Sequence, residues 1–343
     1  MTLPCDKAAA PAAVLFGLEG PSLTEWEKGF FREVQPAGFI IFRRNVESPA
    51  QLAELTMCLR DVLGRGDAPI LIDQEGGRVQ RLRPPHWPAL PAMGVYGELA
   101  RKDLGRAKRG AWLQARLIAD DLHRVGIDVD CLPCLDLQLP TTHQVIGDRS
   151  FGADPEVVAE LGQSVCDGLL AGGVSPVIKH LPGHGRAGQD SHKTLPQVDA
   201  DITSLQADFM PFRRLAAQRW GMTAHILFTT LDRENPATQS RTVIQEIIRG
   251  EIGFDGLLVS DDINMEALSG PLKKRAAASL AAGCDLVLHC SGKKLEMEEV
   301  AAAVPSMSSQ ALERLARARP PAPQAFDRDA ALEELEALAG ALS

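Results

Sequence analysis

Residues 174–196 read VSPVIKHLPGHGRAGQDSHKTLP, and the change of character along this stretch decides the fold. Val174 to Ile178 is a short apolar run behind Gly173. Such a run suits a strand buried on both faces. Lys179 and His180 follow at once, and Gly183, Gly185 and Gly188 then make a loop rather than a helix. The same succession recurs along the chain. Further apolar runs lie at Val14 to Leu18, Phe39 to Phe42, Ile70 to Ile72 and Ile127 to Leu132, then at Met222 to Ile226, Leu257 to Val259 and Leu286 to Leu288. Between them, Leu23 to Val34, Gln51 to Leu63, Ala107 to Val125 and Glu156 to Leu170 carry apolar residues at helical spacing. Ser204 to Arg219, Val243 to Arg249 and Leu272 to Ala282 do the same. Eight strands alternating with helices predict an α/β fold, a single TIM-like (β/α)8 barrel over about 12–318 in one domain of 1–343. An open doubly wound sheet is the alternative. Arg83 to Arg106 and Leu132 to Pro155 are expected to be long functional loops. A Pro-rich break at Pro320 to Pro323 precedes a terminal helix from about Arg328, packed outside the barrel.

The chain has 343 residues, 45% of them hydrophobic and 24% charged, which suits a folded globular protein. Thirty-six basic residues against 45 acidic ones leave a formal charge of −9. That balance argues against nucleic-acid partners and against docking on an anionic membrane. An anionic substrate would need local Arg or Lys. Seven cysteines, an odd number, read as reduced thiols. The stretch from Met1 to Gly17 has one Lys and a broken Ala/Pro run, unlike an export signal, and Cys5 sits too early for a lipidated leader. No run of about 18 apolar residues is present. The expectation is a cytoplasmic monomer acting on a small-molecule substrate, with no cofactor and no metal.

Residues just past the strands share one face of a barrel. Here they are Glu19, Asp73, Asp136, Lys179 with His180, His225, Asp261 with Asp262, and His289. Single aspartates among them could be helix caps; a whole set of caps is a poor account. Asp190 and His192 stand two apart, so the carboxylate can hold one imidazole nitrogen and turn the other outward, the wiring of a general acid/base. A second reading makes His180, His184, Asp190 and His192 a zinc site, although their spacing on a glycine loop differs from helix-presented ligands. In GLLVSDDINM, residues 256–265, a buried strand delivers two carboxylates to the barrel mouth, one able to act as a nucleophile while the other caps the next helix, or both being caps. In IDQEGGRVQRL, residues 72–82, Asp73 can grip sugar hydroxyls, or cap a helix, and Gly76-Gly77 makes a tight turn. In IGDRSFG, residues 146–152, Arg149 can meet a substrate oxygen or pair with Asp148 at the surface. Cys131-Leu-Pro-Cys134 lacks a second pair and reads as buried thiols.

Together KHLPGHG, DSH, SDDINM, IDQEGGRVQRL, GDRSFG and Leu135-Asp136-Leu137 resemble the signatures of glycoside hydrolase family 3, in its single-domain β-N-acetylglucosaminidase branch. The resemblance spans residues ~14 to 290. It implies that Asp261 is the nucleophile and His192 the acid/base with Asp190 as partner. It implies further that Asp73, Arg81, Arg149, Lys179, His180 and Met265 bind substrate. Leu181, Ile263 and Asn264 depart from the branch pattern, the last two beside the nucleophile. The implied reaction is removal of terminal, non-reducing β-1,4-linked N-acetylglucosamine with retention. In cytoplasmic members of the branch the substrates are anhydro-muropeptides. Phosphorolysis by a related family 3 enzyme and non-catalytic sugar binding are the competing functions.

Overall fold

The computed structural model describes residues 10–339; Met1, Cys5 and the rest of the first nine residues lie outside them. Eight parallel strands close into a barrel. In chain order they are β1 (Ala12–Phe16), β2 (Pro36–Ile41), β3 (Ile70–Ile72), β4 (Val129–Asp130), β5 (Ser175–Leu181), β6 (Trp220–Thr223), β7 (Leu257–Asp262) and β8 (Leu286–His289). Each strand pairs with its neighbours in sequence, and β8 closes on β1 through the register Phe16 with His289. The expected barrel is therefore present and the open sheet is not.

Side-chain alternation explains how the barrel is filled. Leu15, Ile40, Leu71, Val129, Val177, Trp220, Met222, Leu257, Val259, Leu286 and Leu288 form one buried cluster. The intervening residues, among them Val14, Phe16, Phe39, Ile41, Ile70, Ile178, Leu258 and Val287, join a separate cluster with the surrounding helices. The first set fills the barrel and the second mortars the helices to it. The barrel floor is sealed by the helix Ser309–Arg317 and its flanks. There Trp220 Nε1 and Ser175 Oγ donate to the Ala318 carbonyl at 3.0 and 2.8 Å.

The helices follow the expected pattern with local differences. The helix beginning at Ile202 ends at Arg214 rather than Arg219, and the segment Val243–Glu251 is π-helical. Helices at Lys294–Ala301 and Ser309–Arg317 were not anticipated. The stretch Arg83 to Arg106, expected as a long loop, instead carries a helix, Gly94–Ala100, and the start of the next at Leu104; ahead of it Gln74–Gly76 and Val79–Gln80 form a hairpin. No helix starts at Asp73, so the cap reading of that residue falls. The hairpin needs its glycines: Gly76 and Gly77 have φ of 92° and 56°, open to glycine at little cost. The terminal helix Arg328–Ala339 lies against the helix Leu104–Arg124 through Arg109–Glu334 and Arg328–Asp120 pairs at 2.7 and 2.9 Å.

The helix Gly94–Ala100 escaped the sequence reading because two of its seven residues are glycine. Both glycines lie on the turn that carries Arg149. A Cβ at Gly94 would come within 3.0 Å of the Asp148 carbonyl, and one at Gly97 would overlap the Phe151 carbonyl. Backbone cannot step aside as a flexible side chain does. Gly97→Ala is therefore expected to cost about 1–3 kcal/mol in urea unfolding. An unchanged midpoint would show that the helix does not press on this turn.

Candidate active site

The barrel's alternation also builds the site. Continuing the inward positions one step beyond the packed interior gives Phe42 after Ile40, Asp73 after Leu71, Lys179 after Val177, Asp261 after Val259 and Cys290 after Leu288. All five line one cavity of about 450 Å³ at the C-terminal mouth. Its walls also include Arg78, Arg81, Val145, Arg149, His180, His192, Met222 and Met265. His180 has outward parity, but the pairing of β5 with β6 slips between Lys179 and Leu181, and this slip brings His180 to the cavity. Of the nine residues to which the family resemblance gives a role, Asp190 alone is not part of the wall; it is bonded to His192.

Most of the charge is locked into one buried network. Lys179 Nζ lies 3.0 Å from Asp73 Oδ1 and 2.7 Å from Glu75 Oε1, with a side chain only 2% exposed. Arg81 reaches the other oxygen of Asp73 at 3.0 Å. Arg149 grips Glu75 with two bonds of 2.8 Å, a bidentate geometry that holds planar groups firmly. Arg149 thus does not pair with Asp148, which meets Arg78 at 3.0 Å. Burial by itself would raise the Asp73 carboxyl; Lys179 and Arg81 overcome it and hold the group well below the usual carboxylate range. Burial works against Glu75 too, yet Arg149 and Lys179 bring it down to about 2. Burial would lower the Lys179 ammonium, and Glu75 and Asp73 reverse that effect. Asp73 is left as an ionised, charge-compensated acceptor suited to hydroxyl groups and poor as a nucleophile.

Asp261 differs. Among the described residues no Lys or Arg pairs with it, and its recorded hydrogen bond comes from the Asp262 amide at 2.8 Å. Burial would raise it, but His225 and His180 nearby leave it below the ordinary value, hence ionised at neutral pH. Asp262 also lines the cavity, but its carboxylate is engaged by the backbone. Its Oδ1 accepts from the Asn264 and Cys290 amides at 3.0 and 3.2 Å, so it ties down the turn after β7. Burial, aided by Asp261, raises it to about 6. His225 supports this corner by bonding Thr238 Oγ1 at 2.7 Å and the Asp262 carbonyl at 3.0 Å.

Two Asp–His pairs share the cavity. His192 Nδ1 meets Asp190 Oδ1 at 2.9 Å on the loop, with a His192 side chain 61% exposed. His180 Nδ1 meets Asp136 Oδ2 at 2.6 Å in the buried wall. Asp136 also accepts from the His180 and His184 amides at 3.2 and 2.7 Å. The four residues of the possible zinc site are thus divided between two carboxylates. Among the described residues, the one group with donor atoms in metal-binding reach of one another is Cys134, Asp136 and His180. Cys131 and Cys134 are buried free thiols, and the Cys134 thiol donates to Asp136 at 3.2 Å. Glu19 is exposed and His289 is sealed away, so these two strand ends do not reach the cavity. Glu75 and Asp136 were not assigned roles from the sequence. Glu75 sits in the quoted IDQEGG, but only the fold brings Lys179 and Arg149 to it.

A cavity at the mouth of a parallel barrel, holding an ionised carboxylate without a Lys or Arg partner among ion-paired polar groups and an Asp-oriented imidazole, is a glycosidase-like arrangement. Residues 22–318 match the glycosyl hydrolase family 3 N-terminal domain, and the chain belongs to that family. It is 40% identical over 283 residues to a β-hexosaminidase of Alkalilimnicola ehrlichii, covering 81% of this chain and 80% of that protein. It is 41% identical over 291 residues to a β-hexosaminidase of Bordetella avium, covering 82% and 81%. The structure of NagZ from Neisseria gonorrhoeae in complex with N-trifluoroacetyl-D-glucosamine superposes with a TM-score of 0.88 at 33% identity, covering 96% of this chain and 98% of that one. No helix among the described residues is long and apolar enough to cross a membrane.

The Glu75 network gives a signed pH dependence. A carboxylate held below its unfolded value stabilises the fold above that value and loses the contribution as pH falls toward the folded value. For Glu75 the window runs from the ordinary value of about 4.3 down to about 2. Glu75→Gln should cost about 3 kcal/mol at neutral pH in denaturant unfolding. The gap to wild type should narrow below about pH 4. A pH-independent gap would mean that Glu75 is not held ionised by Lys179 and Arg149.

Proposed function

We propose that this chain is a retaining exo-β-N-acetylglucosaminidase that removes terminal, non-reducing β-1,4-linked N-acetylglucosamine. The observation carrying this reading is the pairing, in one cavity, of an ionised carboxylate free of cations, Asp261, with an imidazole oriented by a carboxylate, His192. The β-hexosaminidase relatives support a hexosamine, and the N-trifluoroacetyl-D-glucosamine in the Neisseria gonorrhoeae NagZ structure supports its gluco form. Anhydro-muropeptides of cell-wall recycling are the proposed natural substrates, handled in the cytoplasm. The six free cysteines of the described residues fit a reducing compartment. The proposed state is a monomer.

Catalysis then runs in two displacements. Asp261 Oδ attacks the anomeric carbon while the glycosidic C–O bond breaks. Protonated His192 gives its Nε2 proton to the departing oxygen, and a glycosyl ester on Asp261 remains. In the second step water attacks the same carbon, neutral His192 accepts its proton, and the ester bond returns its electron pair to Asp261. Asp190 holds Nδ1 throughout and keeps Nε2 facing the reacting oxygen. Asp73, Arg81, Lys179, His180 and Arg149 meet the sugar's hydroxyl and carbonyl oxygens from the rigid network. Met222, Met265 and Leu288 give the ring an apolar wall. An imidazole can both give and accept a proton, so one group can serve first as acid and then as base.

The test compares a chromogenic N-acetylglucosaminide with the corresponding glucoside, with and without phosphate. Preferential turnover of the N-acetyl sugar to free sugar in both buffers is expected; a sugar phosphate would identify a phosphorylase. Asp261→Asn should lose at least about a thousandfold in kcat, as deletion of a nucleophile does. A 2-fluoro sugar should label Asp261, and labelling of Asp262 would sink the assignment. His192→Ala should lose about 100- to 10,000-fold in kcat/KM on substrates with poor leaving groups. It should lose far less on an activated aryl glycoside, and equal losses would remove His192 as proton donor.

A further inference from the structure

The loop that carries His192 is tied down very unevenly. Its base is held by many bonds. The Gly183 and Ala187 amides donate to the His180 and His184 carbonyls at 2.7 and 3.1 Å, and the His143 amide donates to the Ala187 carbonyl at 3.0 Å. Thr142 Oγ1 donates to the Gly185 carbonyl, and the Arg186 guanidinium pairs with the buried carboxylate of Asp208. Beyond Ala187 the character changes. Between Gly188 and Leu195, Ser191 is the one buried residue; its neighbours are exposed or half-buried. Hydrogen bonds from this tip run mostly within it, from the His192, Lys193 and Thr194 amides to Asp190 and from the His192 ring to the same residue. Among the described residues, a single hydrogen bond leaves the tip: Ser191 Oγ with His184 Nε2, at 3.2 Å.

His184 is well placed to receive it. Its ring is buried, and its amide is fixed by Asp136 Oδ1 at 2.7 Å. The same carboxylate holds the His180 ring at 2.6 Å. One continuous chain of contacts therefore runs from the cavity wall through His180, Asp136 and His184 to Ser191, the residue beside His192.

We propose that His184 is a positioning residue for catalysis, a fixed strut whose bond to Ser191 sets where the Asp190–His192 pair sits over the cavity. It touches neither the reacting atoms nor the sugar; it acts through Ser191. Ser191 lies between Asp190 and His192 in sequence. Pinning its side chain inward fixes the backbone on both sides and leaves the Asp190 and His192 side chains on the outer face. Burial takes the His184 imidazole down to about 4, so it is neutral at working pH and acts as a hydrogen-bonding wedge rather than a charge. The proposal rests on His192 being the acid/base. Small misplacements of such a group are expensive, with a shift of about 1 Å able to cost on the order of a hundredfold.

The experiment measures kcat/KM for Ser191→Ala, His184→Phe and His184→Gln on two N-acetylglucosaminides, one with an activated aryl leaving group and one with an unactivated sugar leaving group. His192→Ala is run beside them. Removing the anchor should cost about tenfold or more on the unactivated substrate and less than about threefold on the activated one. His184→Gln, whose amide can reach Ser191, should recover part of the loss. A purely structural role would lower both substrates together. Equal losses, or none in a folded Ser191→Ala, overturn the proposal. Ser191→Ala removes one oxygen and decides the matter should His184→Phe not fold. If His192→Ala itself shows no leaving-group discrimination, the acid/base assignment fails instead, and the two failures are told apart.

Discussion

The arrangement at the barrel mouth depends on one buried ammonium. Lys179 stands at the inward position above Val177 and has almost no contact with water. A charge in such a place is tolerable only with close counter-charges and hydrogen bonds. Asp73 and Glu75 supply them, from a strand end and the hairpin that follows it. Each carboxylate then recruits its own arginine, Arg81 for Asp73 and Arg149 for Glu75. Three connections from different parts of the chain are thereby drawn to one point. This network is weak grounds for stability, since buried ion pairs roughly break even against apolar packing. Its worth lies in fixed geometry: donors and acceptors that already compensate one another need not rearrange to meet a sugar.

That network also sets the carboxylates of the cavity apart from one another. Asp73 and Asp261 both face the cavity and are both ionised, yet cations occupy Asp73 and leave Asp261 alone. Asp262 is a strand neighbour of Asp261 with opposite parity, engaged by two backbone amides and raised by burial. Three aspartates near one cavity thus divide into an ion-paired acceptor, an ionised carboxylate without a cation and a structural tie through their neighbours, with no difference in side-chain chemistry. The two Asp–His pairs divide similarly. Asp136 and His180 are sealed in the wall, whereas Asp190 and His192 ride on a glycine-rich loop open to solvent. In the proposed mechanism the rigid pair would serve sugar recognition, and the pair on the loop could approach a leaving group and later a water.

Much of this was legible in the chain. Short apolar runs with helical stretches between them identify the barrel, because strands covered on both faces need unbroken apolar sequence. Period-two alternation orients Asp261 and Lys179 inward with no tertiary information beyond the strand itself. The helix Gly94–Ala100 was hidden because its glycines, poor helix formers, are kept for close approach to the 147–151 turn. Glu75 and Asp136 were equally hidden. Each is an ordinary acidic residue until Lys179, Arg149, His180 and His184 arrive from 40 or more positions away. The split of His180, His184, Asp190 and His192 into two carboxylate-bound groups, rather than one ligand set, is a matter of three dimensions for the same reason.

By itself the sequence determined the barrel, the face on which chemistry gathers and the kinds of side chain gathered there, since local alternation and glycine placement act over a few residues. Only the tertiary structure decided which carboxylate is neutralised and which is free, and which imidazole is buried and which is exposed. Those outcomes follow from burial and from charges within about 4 Å, where Coulomb and desolvation energies are largest. Neighbours at that range come from distant parts of the chain, and no short window of sequence contains them.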